Sequence, residues 1–118
     1  MTIEDIETIC DGLPAVTKDI KWGEHLCFNV AAKMFLITSP DAYPPNAVFK
    51  VSPEEFEELI ARNGFSQAPH LAKNLWIKID DISKMSKVQW EYYARQSYNL
   101  VIAKLSKKTL DALKAIAL

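Results

Sequence analysis

Six residues in the second half of the chain have side chains suited to meeting an anion: Lys73, Trp76, Lys78, Lys104, Lys107 and Lys108. Lysine ammonium groups neutralise phosphates, and an exposed indole gives a base a face to stack on. Trp76 carries the most weight. Strict alternation places it with Lys78 on one side of a strand, opposite Leu75, Ile77 and Ile79. Such a set fits weak nucleic-acid binding without sequence specificity, because phosphate contacts position a protein but do not read bases. A plainer reading places Trp76 in a second layer of core beneath a helix over 86–105. It then explains Lys104, Lys107 and Lys108 as cations near a helix end, where the dipole favours them.

Other chemistries find little support. His25 and His70 show no HxxxH, HxH or ExxH spacing, and Cys10 and Cys27 belong to no CxxC pair. The cysteines read as small, reduced, buried hydrophobes, and no metal is expected. Glu54, Glu55, Glu57 and Glu58 fall in the first turns of a helix, where carboxylates complement the dipole. The chain has only three glycines, too few for a phosphate-cradling loop or a dinucleotide fingerprint. No nucleophile elbow is present. The expectation is a binding protein, not an enzyme, with no cofactor.

Charge limits the kind of partner. The net charge is −1, and the isoelectric point near 6.1 argues against strong general nucleic-acid binding. The halves differ, however. Residues 1–60 carry four lysines against eleven acids, and residues 61–118 carry ten basic residues against four acids. Such a split gives either one anion-attracting face or two solvated faces that attract each other.

The elements that must position these residues are legible in outline. A chain of 118 residues suits one domain over 1–118. Its apolar runs, such as Met34–Ile37 and Leu100–Ala103, are too short to cross a bilayer. Acids follow Met1 where a secretion signal needs lysine or arginine, so the reading is cytoplasmic. Thr2 caps a helix over 2–12, with Asp5 as a weak capping box and Ile3, Ile6, Cys10 and Leu13 on one face. Strands follow at Leu26–Val30, Met34–Thr38, Asn46–Val51 and Leu75–Ile79. Two-residue hairpin loops favour Gly, Asn or Asp, so Ala31-Ala32 predicts a longer loop that takes in Val30 or Lys33. Ser52-Pro53-Glu54-Glu55 predicts a capped helix ending at Gly64, with Glu55 completing the box. Ser86 and Gln89 open a long helix with Trp90, Tyr93, Ala94, Tyr98, Val101 and Leu105 on its inner face. Ser106 caps one more, with Leu110, Leu113 and Ala117 in register. Neighbouring strands with short links imply an α+β fold: an antiparallel sheet of at least four strands with helices packed on one face.

The ordered set of short motifs resembles the MmcQ/YjbR family of small bacterial proteins. It runs from Leu13-Pro14-Ala15-Val16-Thr17 through Lys21-Trp22-Gly23, Lys33-Met34-Phe35 and Val48-Phe49-Lys50. It continues in His70-Leu71-Ala72-Lys73-Asn74-Leu75-Trp76 and closes with Ser97–Lys108. The resemblance implies a CyaY/frataxin-like sheet backed by helices and the family's label of "double wing" DNA-binding protein. The matching positions are Lys33, Lys50, His70, Lys73, Trp76, Ser97 and Lys104. This chain has Ala31-Ala32 where relatives tend to carry a glycine-containing hairpin, and Ser106 where proline is usual. The alternative to nucleic-acid binding is a small anionic ligand, or a protein, held in a cleft on the sheet by Lys33, Lys50, His70, Lys73 and Trp76.

Overall fold

Short links oblige neighbouring strands to run antiparallel. The structure, a computed structural model that describes residues 1–69 and 75–117, follows that rule across its whole sheet. The strands are β1 (Val16–Lys21), β2 (His25–Val30), β3 (Lys33–Ser39), β4 (Asn46–Lys50), β5 (Phe65–Gln67) and β6 (Trp76–Ile79). They lie in the order β1-β2-β3-β4-β6-β5, with every pair antiparallel. The helices are α1 (Ile3–Asp11), α2 (Pro53–Ile60), α3 (Lys87–Ile102) and α4 (Lys107–Ala117). α1 and α3 cover one face of the sheet, and α2 sits against β5 and β6. Among the described residues, no helix is long and apolar enough to cross a membrane.

Local signals start the helices where the sequence places them. Thr2 and Asp5 form a reciprocal capping box on α1, and Ser86 and Gln89 form one on α3. At α2 only half of the expected box forms. Ser52 accepts from the Glu55 amide, but the Glu55 carboxylate instead accepts from the Tyr92 hydroxyl and from Gln96 Nε2 of α3. A tertiary partner thus replaces the local one and ties α2 to α3. Ser106 accepts from the Thr109 amide and caps α4 as expected.

The core lies between α1, α3 and the facing side of the sheet. Ile6 and Cys10 of α1 meet Phe28, Val30, Leu36, Phe49, Ile77 and Ile79 of the strands and Trp90, Tyr93, Ala94 and Tyr98 of α3. Burial pushes the Cys10 thiol up to about 12, which keeps it protonated and inert at neutral pH. Phe35 packs edge-on to Tyr98 at 5.4 Å, and Phe49 packs edge-on to Trp90 at 5.6 Å. Such pairs contribute about 0.5–1.5 kcal/mol beyond their burial. The indole N–H of Trp90 donates to the Ile82 carbonyl, and the Tyr98 hydroxyl donates to that of Pro14, so both rings enter the core with their polar ends satisfied.

Two strands lie beyond the sequence expectation, and both are edges. β1 has apolar residues only at Val16 and Ile20, with Thr17, Lys18, Asp19 and Lys21 between and after them. Lys18 pairs with Glu7 and Asp11 of α1. Charge on an edge strand discourages pairing with another chain. β5 is only three residues long.

The β2–β3 hairpin corrects the expectation of a longer loop. Val30 pairs directly with Lys33, so Ala31-Ala32 is a two-residue turn. Both alanines are left-handed, with φ of 50° and 64°. Each left-handed alanine costs roughly 1–2 kcal/mol relative to the ordinary helical well. Ala31→Asn with Ala32→Gly supplies the residues that such a turn favours. We expect the double variant to gain about 1–2 kcal/mol in urea unfolding. An unchanged or lower midpoint would show that the turn is not strained.

Candidate functional site on the open face of the sheet

Residues that pair across a ladder share a face. One row reads Cys27, Ile37, Val48, Lys78 and Ser66, and the next reads Lys50 and Trp76. Leu36, Phe49 and Ile77 form the alternate row and lie in the core under α3. Val48, Lys50, Trp76 and Lys78 therefore project from the face that α1 and α3 leave bare. Trp76 is half-buried there, so it is not second-layer core beneath α3.

A cleft of about 810 Å³ occupies this face. Met34, Ile37 and Val48 give it an apolar floor. Trp22, Glu24, His25, Ser39, Asp41, Asn46, Pro69 and Lys78 are among its walls. The β1–β2 turn brings Trp22 to the mouth with a left-handed φ of 55°, and its indole is 70% exposed. Its ring meets the His25 imidazole edge-on at 5.7 Å. Ser39 Oγ lies 2.9 Å from His25 Nδ1, and Glu24 lies 3.5 Å from Nε2. Both ring nitrogens are thus engaged and the imidazole is fixed against one wall. Such a cleft can hold an apolar or aromatic body against its floor and a charged group beside Lys78.

The second neighbourhood is built around Ser97, a polar residue fully buried in α3. The ladder pairs Leu36 with Phe49, so the next pair in register is Phe35 with Lys50. Ser97 stands in that gap. Its hydroxyl accepts from the Lys50 amide at 2.9 Å and donates to the Phe35 carbonyl. The carbonyl is available because β3 carries a bulge here: Phe28 faces Leu36 while Asn29 faces Met34, which leaves Phe35 as the extra residue. Serine is the signal that the inner stripe of α3 misses when read by apolar residues alone. Position 97 falls at helical spacing between Ala94 and Val101, both buried.

The Lys50 side chain is only 9% exposed. Burial lowers its ammonium below the ordinary lysine range, and the neighbouring Lys104 ammonium lowers it further. Lys104 is exposed, just beyond the C-terminus of α3, where the dipole favours a cation. Lys107 and Lys108 are also exposed, but they open α4. They occupy its electropositive end, so the helix dipole does not account for them. Lys33 is exposed at the hairpin and pairs across the ladder with the core residue Val30, not with the open face. His70 and Lys73 lie outside the described residues. Of the residues expected to form a site, Lys50, Trp76 and Lys78 therefore share one face, and Lys104 joins Lys50. His25, Ser39 and Asn46 of the cleft carry no sequence signal, because only the strand register brings them together, and Trp22 enters through the β1–β2 turn.

A six-stranded antiparallel sheet with helices on one face and a bare opposite face defines the protein as an α+β fold. Over residues 11–100 the chain matches the YjbR family, and it belongs to that family. It is similar to the crystal structure of Deinococcus radiodurans protein DR2400, described by the family-model domain DUF419. The two are 26% identical with a TM-score of 0.86, over 96% of this chain and 88% of that one.

Removing the Ser97 hydroxyl strands a buried amide and a buried carbonyl at once. Each such group costs about 1–3 kcal/mol. Ser97→Ala should therefore lose about 2–4 kcal/mol in urea unfolding. A loss smaller than about 1 kcal/mol would mean that β3 and β4 close up and pair directly.

Proposed function

We propose that the protein is a non-enzymatic binding protein that takes a small ligand with an apolar body and an anionic group into the open-face cleft. What supports this is the cleft itself: an apolar floor of Met34, Ile37 and Val48 beside a cationic side chain, Lys78. Glu24 and Asp41 also stand at its walls. Those carboxylates oppose a run of phosphodiesters but leave room for one anionic group at Lys78. The ligand's body fills the floor and Trp22 closes over its edge.

The probe that matches this chemistry is 8-anilinonaphthalene-1-sulfonate. We expect a saturable gain in its fluorescence with the folded protein. Lys78→Met should weaken binding about tenfold, the worth of one charge-assisted contact. Val48→Asp should abolish it by placing a carboxylate in the floor. Binding that neither substitution changes refutes the cleft reading.

A weak, sequence-independent interaction with nucleic acid is the second reading. Its support is the exposure of Lys104, Lys107 and Lys108 around the α3–α4 link. In fluorescence anisotropy with labelled DNA, three phosphate contacts correspond to a log–log salt slope of roughly −3 on duplex. Lys107→Glu with Lys108→Glu should weaken every sequence alike and leave the sulfonate probe untouched. Absence of binding to single-stranded and duplex DNA at low salt removes this reading and leaves the first standing.

A further inference from the structure

The walls of the open-face cleft carry charges of both signs, and the strand register keeps them apart. Lys78 lies on β6, whereas Glu24 lies in the β1–β2 turn and Asp41 in the link from β3 to β4. Between these edges the ladder sets Ile37 beside Val48, and Val48 beside Lys78. The strand that follows Glu24, β2, stands three ladder steps from β6, roughly 14 Å at the usual strand spacing. Among the described residues, Lys78 and Asp41 take part in no ion pair, and Glu24 meets only His25. Two carboxylates and one ammonium therefore border the same apolar floor without meeting across it. Asn46 of β4, between the two edges, adds a carboxamide with both a donor and an acceptor.

A ligand that is only an anion reaches Lys78 but leaves both carboxylates unanswered. A ligand with a cation at one end and an anion at the other answers both edges. Its charges must be well separated and its body apolar, because Met34, Ile37 and Val48 lie between. A free amino acid fails on separation, since both of its charges sit on one carbon. A short apolar peptide meets every requirement. Three extended residues cover about 10 Å, and the flexible Lys78 stem reaches over part of the remaining distance. Amides along such a chain can exchange hydrogen bonds with Asn46. The cleft volume of about 810 Å³ is of the size that takes such a ligand.

We propose that the cleft holds a short apolar peptide with both ends free, its carboxylate at Lys78 and its ammonium at Glu24 and Asp41. This rests on the cleft reading above and adds to it the cation, the amides and the length.

The test is equilibrium dialysis of the whole chain against trileucine, N-acetyl-trileucine and trileucine amide, which share one body and differ by one charge. We expect trileucine to bind most tightly. The amide form should bind about tenfold more weakly, because Lys78 is half-buried. The acetyl form should bind about fivefold more weakly, the smaller effect following from the exposure of Glu24 and Asp41. In Glu24→Gln with Asp41→Asn, trileucine and its acetyl form should bind alike. In Lys78→Met, trileucine and its amide form should bind alike. Asn46→Ala should weaken trileucine and leave 8-aminooctanoate, which has both charges but no amide, unchanged. An acetyl form that binds as well as trileucine, or a difference that survives the Glu24 and Asp41 substitutions, overturns the proposal. So does 8-aminooctanoate binding as tightly as trileucine. If the sulfonate probe binds in a Lys78-dependent way and trileucine does not bind at millimolar concentration, the peptide falls and the cleft reading stands. If neither binds, both fall.

Discussion

One hydroxyl sets the geometry on which the rest of this structure depends. Ser97 takes the place of a ladder bond between β3 and β4, so a helix is joined to the backbone of two strands at once. A packed apolar contact can slide by fractions of an ångström with little penalty, but a hydroxyl bonded to an amide and a carbonyl cannot. The rotation and height of α3 on the sheet follow from it. Tyr98, the next residue, then falls against Phe35, while Trp90 and Tyr93 reach Phe49 two turns and one turn earlier. The bulge at Phe35 and the serine in α3 are complementary features. The bulge exposes a carbonyl inside the core and the serine satisfies it.

With the helices committed to one side, the other side of the sheet is left to carry polarity and space. The charges are distributed accordingly. Part of the acidic first half is neutralised locally, since Lys18 bridges two carboxylates of α1 and Lys21 meets Asp19 within β1. These pairs are partly exposed and each contributes little. The basic second half behaves differently. Lys84 pairs with Asp80, but Lys104, Lys107 and Lys108 surround the α3–α4 link without such pairs among the described residues. Among the described residues each of these ion pairs stays within its own half of the chain, and the surplus positive charge gathers around the link.

Much of this was legible in the sequence, and the exceptions have physical causes. Capping boxes at Thr2 and Ser86 are local, so the starts of α1 and α3 could be read directly. Alternation put Lys50 with Val48 and Trp76 with Lys78 on the sides of their strands away from Phe49 and Ile77, and the β4–β6 register then sets Lys50 beside Trp76. Leu75, expected to open the second strand, precedes it with a left-handed φ of 71°. β1 was hidden because an edge strand needs few apolar residues, and β5 because three residues make no pattern. The Ala31-Ala32 turn broke the local preference, and the flanking Val30–Lys33 pairing overrode it. The cleft was invisible for another reason. His25, Ser39 and Asn46 lie on three strands, and nothing in their spacing says that the register will align them. The meeting of Lys50 with Lys104 is non-local in the same way.

The three tryptophans occupy three quite different environments. Trp90 is fully buried and hydrogen-bonded, Trp76 is half-buried beside Lys50, and Trp22 stands 70% exposed at the cleft mouth. The protein thus carries its own graded set of optical reporters. Collisional quenchers in solution meet the Trp22 indole first and that of Trp90 last. Emission from the core indole tracks global unfolding, whereas emission from the mouth indole reports the surroundings of the cleft. A single intrinsic signal, resolved by wavelength and quencher access, separates changes at the mouth from changes in stability with no label attached.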